Sequence, residues 1–426
     1  MNIAVHASQK NKNAAPRYLS GLSMLFVFAG FLLLMLRKPS VTTAVMMAAV
    51  PCALLAVNTV LPRLFPMDRL LLGLINFLCA LGILVQYRYS PSRGVTQCFN
   101  YGAGLVAMIG CALAVRSIRG WKLLLLPMFA ASCALLTLPF ILRAANAGKG
   151  ATAWVSIGSF GMQPSEIVKL LYLFIMAYLL SRRRVVLALG CVGVMLAFLV
   201  AQRDLGTAAI YGATGLVMLY AATGSLLLIG AILGAGLGGV SVLYMLFRNS
   251  YFLTVQNRIN NWLDPFATYD QLGGGYQIVQ ALIAMANGGW WGTGLGLGNA
   301  NVIPEFSTDF IFSAVMNEFG FVFALLIMGI FALIVLRSAD IALRSSSAFH
   351  ALLALGCAAL IAVQTFIIIG GVIKFIPMTG VTVPFLSYGG TSLVSCMGVM
   401  GVVQGVANRN ERMLREDRRL AGEDLP

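Results

Sequence analysis

The segment TDFIFSAVMNEFGFVFALLIMGIFALIVLR (308–337) decides what kind of protein this is. Between Asp309 and Arg337 the sole charged side chain is Glu318, and the apolar run exceeds the roughly 20 residues a helix needs to cross about 30 Å of hydrocarbon. Runs of the same kind recur at approximately 18–36, 41–61, 70–86, 103–115, 121–142, 166–181, 185–201, 204–223, 225–247, 309–336, 349–373 and 385–407, separated by short polar breaks. The expected fold is an all-α polytopic integral membrane protein with about twelve transmembrane helices. Composition agrees: the 426 residues are 59% hydrophobic and 10% charged, with mean hydropathy +0.88, whereas a soluble domain is about a quarter charged.

An even number of spans places both termini on one side. Of the 29 Lys and Arg, 18 fall in the loops on the side of the termini and 10 on the other, with Lys169 inside a span. That bias predicts cytoplasmic termini. The net charge of +15 then reads as orientation signals and contact with anionic lipid, not as a nucleic-acid-binding face. The first 17 residues lead into a full-length span with no cleavage pattern, so the span is expected to stay as an anchor. The eight Cys form no CxxC pair, and His6 and His350 are the only histidines. A His-based metal cage or a Ser-His-Asp triad is therefore excluded, and any catalysis must use carboxylates.

Two loops on the non-cytoplasmic side stand out, 143–165 and the long 248–308. The latter is too rich in aromatic and aliphatic residues for a linker. Its stretch YFLTVQNRINNWLDPF (251–266) places Ile259, Trp262 and Leu263 on one helical face with Arg258 elsewhere, which suits a membrane-surface helix or a substrate groove. Then comes GGGYQIVQALIAMANGGWWGTGLGLGN (273–299), a helical stretch between glycine clusters. The glycines can serve close packing and turns or direct ligand contact; no strand precedes them, so a dinucleotide fingerprint fails its context.

Ionisable side chains at membrane depth cost several kcal/mol unless paired or facing water, so Glu166, Lys169, Asp204 and Glu318 are candidate functional residues. Glu166 and Lys169 are three apart and share a helix face. They form either a self-neutralising pair or, with Asp204, a polar cavity. Asp309 begins a span and has two readings of equal standing: an N-terminal helix cap, or a desolvated carboxylate poised as a general base. KFIPMTGVTVPFLSYGGTS (374–392) interrupts the last two spans with Pro and Gly, a pattern tolerated only where backbone is buried in protein or lines a wet cavity. Three interrupted polar segments on one side of the membrane imply a shared outward-facing site.

WVSIGSFGMQPSEIVKL (154–170), QRDLGTA (202–208), WLDPF with GGGYQ (262–266 and 273–277), IPEFSTDFIF with NEFGF (303–321) and PMTGVTVPFLSYGGTS (377–392) closely resemble, in order, the motifs of the RodA/FtsW/SpoVE or SEDS family of peptidoglycan glycosyltransferases. The resemblance covers about residues 68–410. It implies a core of ten helices (67–410) with the large extracytoplasmic loop 248–308, preceded by a basic arm and two additional helices (1–66) and followed by a charged cytoplasmic tail (411–426). Within the motifs, Ala153 stands where the family often has Arg, Ile368 near a usual Asn, and Lys374 where a small residue is common.

The resemblance implies polymerisation of lipid II in the bacterial plasma membrane, in elongation, division or sporulation. The glycan on undecaprenyl diphosphate is the donor, and the 4-hydroxyl of the next lipid II attacks its anomeric carbon with inversion. Asp309 matches the family's essential carboxylate and would take the hydroxyl proton. Arg258, Arg203 and Lys374, or a divalent ion such as Mg or Mn, would balance the departing diphosphate. Glu305, Gln277 and Ser387 would shape the substrate groove, and Glu166, Lys169 and Asp204 the central polar cavity. No nucleotide cofactor is needed. A class B penicillin-binding protein is the implied partner. The rival reading is a lipid II flippase or another transporter, for which a buried ionic cluster would serve as the pathway.

Overall fold

The computed structural model describes residues 14–118, 120–142, 153–157, 160–247, 253–269 and 274–420. Fourteen helices account for nearly all of them. The first five are α1 (Ala14–Arg37), α2 (Val41–Leu64), α3 (Arg69–Tyr89), α4 (Pro91–Ser117) and α5 (Trp121–Ile141). A hairpin, β1 (Val155–Ile157) with β2 (Phe160–Met162), pairs Val155 with Met162 in antiparallel register. Four helices follow: α6 (Pro164–Ser181), α7 (Val185–Ala201), α8 (Leu205–Thr223) and α9 (Leu226–Phe247). The remaining five are α10 (Leu253–Leu263), α11 (Gly275–Gly288), α12 (Ile311–Leu343), α13 (Ala348–Val372) and α14 (Gly390–Leu420).

Among the described residues, ten helices are long and apolar enough to cross a membrane: α1 to α6, α8 and α12 to α14. Apolar α7 and part of α9 are shorter than that threshold. Burial sorts the bundle into layers. The apolar stretch of α3 is 89% buried, and those of α13 and α14 78%, whereas α1 and α2 stand at 28% and 22%. The interior is thus α3, α6, α13 and α14. The most extensive helix pairing joins α14 to α4. A Cβ on Gly401 would strike the Met108 carbonyl, and one on Gly405 the Ala112 carbonyl. Glycines four apart let two backbones meet, which is how helices associate where lipid supplies no hydrophobic driving force. The outer pair α1 and α2 is fastened by polar bonds and rings: Asn76 donates to Asn58 at 2.6 Å, Thr43 and Tyr87 share a hydrogen bond of 3.0 Å, and Phe26 stacks on Phe323.

Three span boundaries differ from expectation. The short span 103–115 is the 27-residue helix α4, opened by Pro91 at its first turn. Its polar first half looked like loop, but Gln97 faces inward and donates to the Ser387 carbonyl. The span 385–407 begins only at Gly390, because 374–389 is non-helical, and it continues to Leu420. The largest change is to 309–336. α12 begins at Ile311 and is broken at Gly320, whose φ of 86° and ψ of 173° are not helical. The second half, 321–343, reaches about 34 Å and crosses the hydrocarbon by itself. The half-helix 311–319 therefore lies at one end of the bundle.

The break is closed by the glycine-rich stretch 289–294. Phe321 and Val322 N–H donate to the carbonyls of Gly289 and Trp290, and Thr293 and Gly294 N–H donate to those of Asn317 and Glu318, at 2.9 to 3.2 Å. Of the two roles open to these glycines, close packing and turns is the one the geometry fits: Gly292, Gly294 and Gly296 all have positive φ, and a Cβ on Gly292 would collide with the Glu318 carbonyl. Gly320→Ala forces a side chain into the left-handed region and against the backbone of 290–292. It is expected to destabilise by at least about 2 kcal/mol. Gly329→Ala, where a Cβ meets nothing, should be neutral or stabilising by up to about 1 kcal/mol; melting temperatures of the two purified variants compare them.

Candidate functional site

Asp309 sits in the turn before the half-helix 311–319, outside the crossing segment. Its backbone N–H donates to the Glu305 carbonyl at 3.0 Å. The helix-cap reading fails: the N-cap of α12 is Phe310, and no side chain caps it. The half-buried Asp309 carboxyl instead lies against the 377–390 loop, with Oδ2 so placed that a Cβ on Gly380 would stand 3.4 Å away. Burial pushes this carboxyl up to about 6 from the ordinary carboxylate range; a hydrogen bond from Thr308 opposes the rise, the Glu305 charge adds to it, and the Arg258 charge opposes it.

Two segments distant in sequence are sewn together beneath that carboxyl. Ser387 Oγ donates to the Thr308 carbonyl at 2.5 Å and accepts from the Val383 N–H at 2.8 Å, and the Tyr388 N–H donates to the Ser307 carbonyl at 2.8 Å. Ser387 was expected in the substrate groove; it is 4% exposed, and its hydroxyl is committed to both segments, so its place is structural. Arg258 on α10 donates to the Thr379 carbonyl at 3.0 Å, next to Gly380. Trp262, one turn on, donates its Nε1–H to the Lys374 carbonyl at 3.1 Å. The sequence reading grouped Trp262 with Ile259 and Leu263. The structure puts it on the Arg258 face, leaving Ile259 and Leu263 exposed on the other.

The remaining candidates divide. Glu305 is exposed, one turn from Asp309, and acts on it electrostatically. α8 starts against the same loop, since a Cβ on Gly206 would touch Val381 and Thr379, and Arg203 lies in the turn just ahead of it. Lys374 directs its Nζ to the Leu263 carbonyl at 3.4 Å, at the end of α10. Gln277 is half-buried in the first turn of α11, and among the described residues no hydrogen bond joins it to the Asp309 group. Arg203, Glu305 and Lys374 share a property that spacing does not reveal: each has positive φ, near 62°, 54° and 61°. Non-glycine residues in that region cost of order 1–3 kcal/mol and cluster at functional sites.

Glu166 and Lys169 meet deeper in the bundle. Lys169 Nζ is 2.6 Å from Glu166 Oε2 and donates to Gln364 Oε1 at 3.1 Å, and both side chains are almost fully buried. Asp204 is within electrostatic reach of Lys169. It caps α8 by accepting from the Thr207 N–H at 3.0 Å and accepts from Gln163 Nε2 at 2.9 Å. The group is tied to the 377–390 loop: Gln364 Nε2 donates to the Thr382 carbonyl at 2.9 Å, and Thr382 shares a 2.6 Å hydrogen bond with Ser392. A buried ion pair thus positions the loop that faces Asp309. Glu318 has a separate partner, the Arg88 guanidinium at 3.0 Å, which also donates to the carbonyls of Gly296 and Gly298. Arg88 and Thr379 had not been singled out from the sequence. For Thr379 the signal was membership of an interrupted motif; Arg88 looked like an ordinary loop cation.

These elements define a multi-pass membrane protein whose interrupted segments converge around one carboxylate. A sequence model of the FtsW, RodA and SpoVE cell cycle proteins matches residues 61–412, and the chain belongs to that family. It is 34% identical over 364 residues to a probable peptidoglycan glycosyltransferase FtsW of Geobacter sp. (strain M18), covering 80% of this chain and 97% of that one. To the peptidoglycan glycosyltransferase RodA of Mycobacterium tuberculosis (strain ATCC 25618 / H37Rv) it is 34% identical over 307 residues, 66% of this chain and 63% of that one. Among solved structures, a chain from work on the coordination of polymerization and crosslinking by a peptidoglycan synthase complex superposes with TM-score 0.65 at 25% identity, covering 81% of this chain and 98% of that one. The Thermus thermophilus rod shape determining protein RodA has the same fold at TM-score 0.58 and 24% identity, covering 81% and 98%.

Removing one partner of a buried pair strands the other charge. Lys169→Met is therefore expected to destabilise by about 3–5 kcal/mol. Glu166→Gln together with Lys169→Met should recover part of that loss, read as melting temperature in detergent for the two single variants and the double.

Proposed function

We propose that this chain is a peptidoglycan glycosyltransferase of the bacterial plasma membrane that polymerises lipid II, with Asp309 as general base on the extracytoplasmic side and both termini in the cytoplasm. The observation that carries the reading is the state of Asp309. Its carboxyl caps no helix, is held up to about 6 by burial, and stands at the glycine-lined face of a loop ordered by a buried ion pair. A base with a value near the working pH combines an ionised population with a useful affinity for the proton.

In this reaction the acceptor 4-hydroxyl gives its proton to Asp309 as its oxygen bonds to the anomeric carbon, and the bond from that carbon to the lipid diphosphate breaks on the opposite face. Arg258, held by Thr379 beside Asp309, supplies positive charge to the diphosphate, and Arg203 at the start of α8 adds a second. Glu305 keeps Asp309 basic by like-charge repulsion. Among the described residues no three His, Cys, Asp or Glu converge. A divalent ion would be held by the Asp309 and Glu305 carboxylates and would supply positive charge to the departing diphosphate. The names of the relatives support the activity, and the synthase complex supports a transpeptidase partner of the class B penicillin-binding type. α1 and most of α2 precede the matched region and form the proposed added docking element of residues 1–66. Against lipid transport, Glu166 and Lys169 are 3% and 1% exposed and answered by each other and by Gln364.

Asp309→Asn in the partner-bound protein should lower the rate of glycan polymer formation from lipid II by about 10²–10⁴-fold. In the parent, the rate should fall as pH drops through about 6. Equal polymer from both proteins would remove Asp309 as base. The same substitution has a stability signature. A carboxyl raised in the folded state binds its proton more tightly than in the unfolded chain, so parent stability declines as pH rises from about 4 through 6. Asp309→Asn should melt higher than the parent at pH 7, and the difference should vanish below about pH 4.

A further inference from the structure

At the end of the bundle opposite Asp309, where α5 and α13 begin and α6 ends, a cavity of about 360 Å³ is lined by Trp121, Lys122, Tyr178, Arg182, Ser347 and His350, together with neighbouring glycine, serine, alanine and phenylalanine residues. Nothing in the proposed reaction uses it. Two long helices point their N-termini into it, and neither is capped by a side chain: Gly120 precedes α5 and Ser347 precedes α13. Such ends carry free N–H groups and partial positive charge. Two further donors are buried with no acceptor, Trp121 Nε1 in a residue 9% exposed and His350 Nε2 in a residue 6% exposed. His350 Nδ1 is engaged with the Ser347 hydroxyl at 3.0 Å; with Nδ1 accepting, Nε2 carries the proton. Lys122 and Arg182 add two cations, neither in an ion pair among the described residues, and no acidic residue lines the cavity.

The other wall is aromatic. Trp121 stacks on Phe174 with ring centroids 4.6 Å apart and leans on Phe349, and Arg182 lies over the Tyr178 ring at 5.9 Å. Stranded donors, two helix N-termini and two cations ask for an anion with several acceptor oxygens. Aromatic rings at the ends of membrane-crossing helices stand at the level of lipid headgroups. We propose that this cavity binds the phosphate of an anionic glycerophospholipid, with Trp121, His350, Lys122 and Arg182 on the phosphate oxygens and the glycerol against the rings. The ligand neutralises a basic helix junction, so it is a structural lipid of this bundle end.

Native mass spectrometry of the full-length protein in detergent with equimolar phosphatidylglycerol and phosphatidylcholine tests this. The parent should retain phosphatidylglycerol in preference, and Lys122→Gln with Arg182→Gln should lower that retention at least about tenfold, from the loss of charge-assisted hydrogen bonds. Trp121→Phe keeps an aromatic ring at this wall but has no N–H to donate, so it provides a second test should the double variant fold poorly. Equal retention of both lipids, or a preference unchanged in the variants, overturns the proposal. Inorganic phosphate supplies a separate arm: if it raises the melting temperature of lipid-stripped protein as much as phosphatidylglycerol does, the site takes a soluble phosphate and the lipid assignment falls.

Discussion

Inside hydrocarbon no water is available to a backbone amide, so a break in a membrane helix must be satisfied by another piece of the same protein. Gly320 is such a break, and the stretch 289–294 answers it with four backbone hydrogen bonds, two accepted and two donated. Much else follows from this. The half-helix 311–319 is released from the axis of 321–343, Asp309 is carried at its outer end, and Glu318 is brought to Arg88 and the Gly296 amide. Asn317 reinforces the junction by donating to the Ala284 carbonyl and accepting from the Asn299 N–H. The stretch 284–299 of the long loop is thus a structural complement to α12, not an appendage.

Charge is handled by the same logic of complete satisfaction. Glu166 with Lys169 and Glu318 with Arg88 neutralise each other where single charges would be prohibitive, and each pair is joined by further hydrogen bonds to a neighbouring segment. Buried pairs of this kind contribute little net stability, but they permit few alternative arrangements. Gln364 and Thr382 carry the order of the first pair into the loop before α14. Asp309 is the exception: it is desolvated without a bidentate counter-ion, and its proton affinity reflects that.

The membrane class and most spans were legible because apolar length is a one-dimensional signal, read directly in runs such as 349–373. Where backbone geometry departs from the helix, hydropathy is silent. Phe319, Gly320 and Phe321 are apolar or neutral, so the break in α12 left no mark in composition, and Gln97 hid the first turns of α4 because a polar residue facing a buried carbonyl scores as loop. Glu166, Lys169, Asp204 and Glu318 were visible as charges in the wrong solvent and Asp309 as a carboxylate at the start of a span, whereas Arg258 and Glu305 were singled out through the family's motifs. Their partners were not, since Arg258 meets a backbone carbonyl 121 positions away and Arg88 meets loop carbonyls more than 200 away. Ser387 was misplaced for a similar reason: a motif shows that a hydroxyl is wanted, but not whether it faces ligand or backbone.

The discontinuity at Gly320 also acts as a mechanical joint. A continuous helix of 33 residues would transmit every tilt imposed by the bilayer along its length to the residues at its tip. Here the crossing half can lean to match the hydrocarbon thickness around it, while the outer half is clamped by α11 and the glycine strap and keeps its own orientation. The end of the molecule that carries Asp309 is thereby insulated from the thickness of the membrane, and one amino-acid sequence can hold a constant geometry there in bilayers of differing composition.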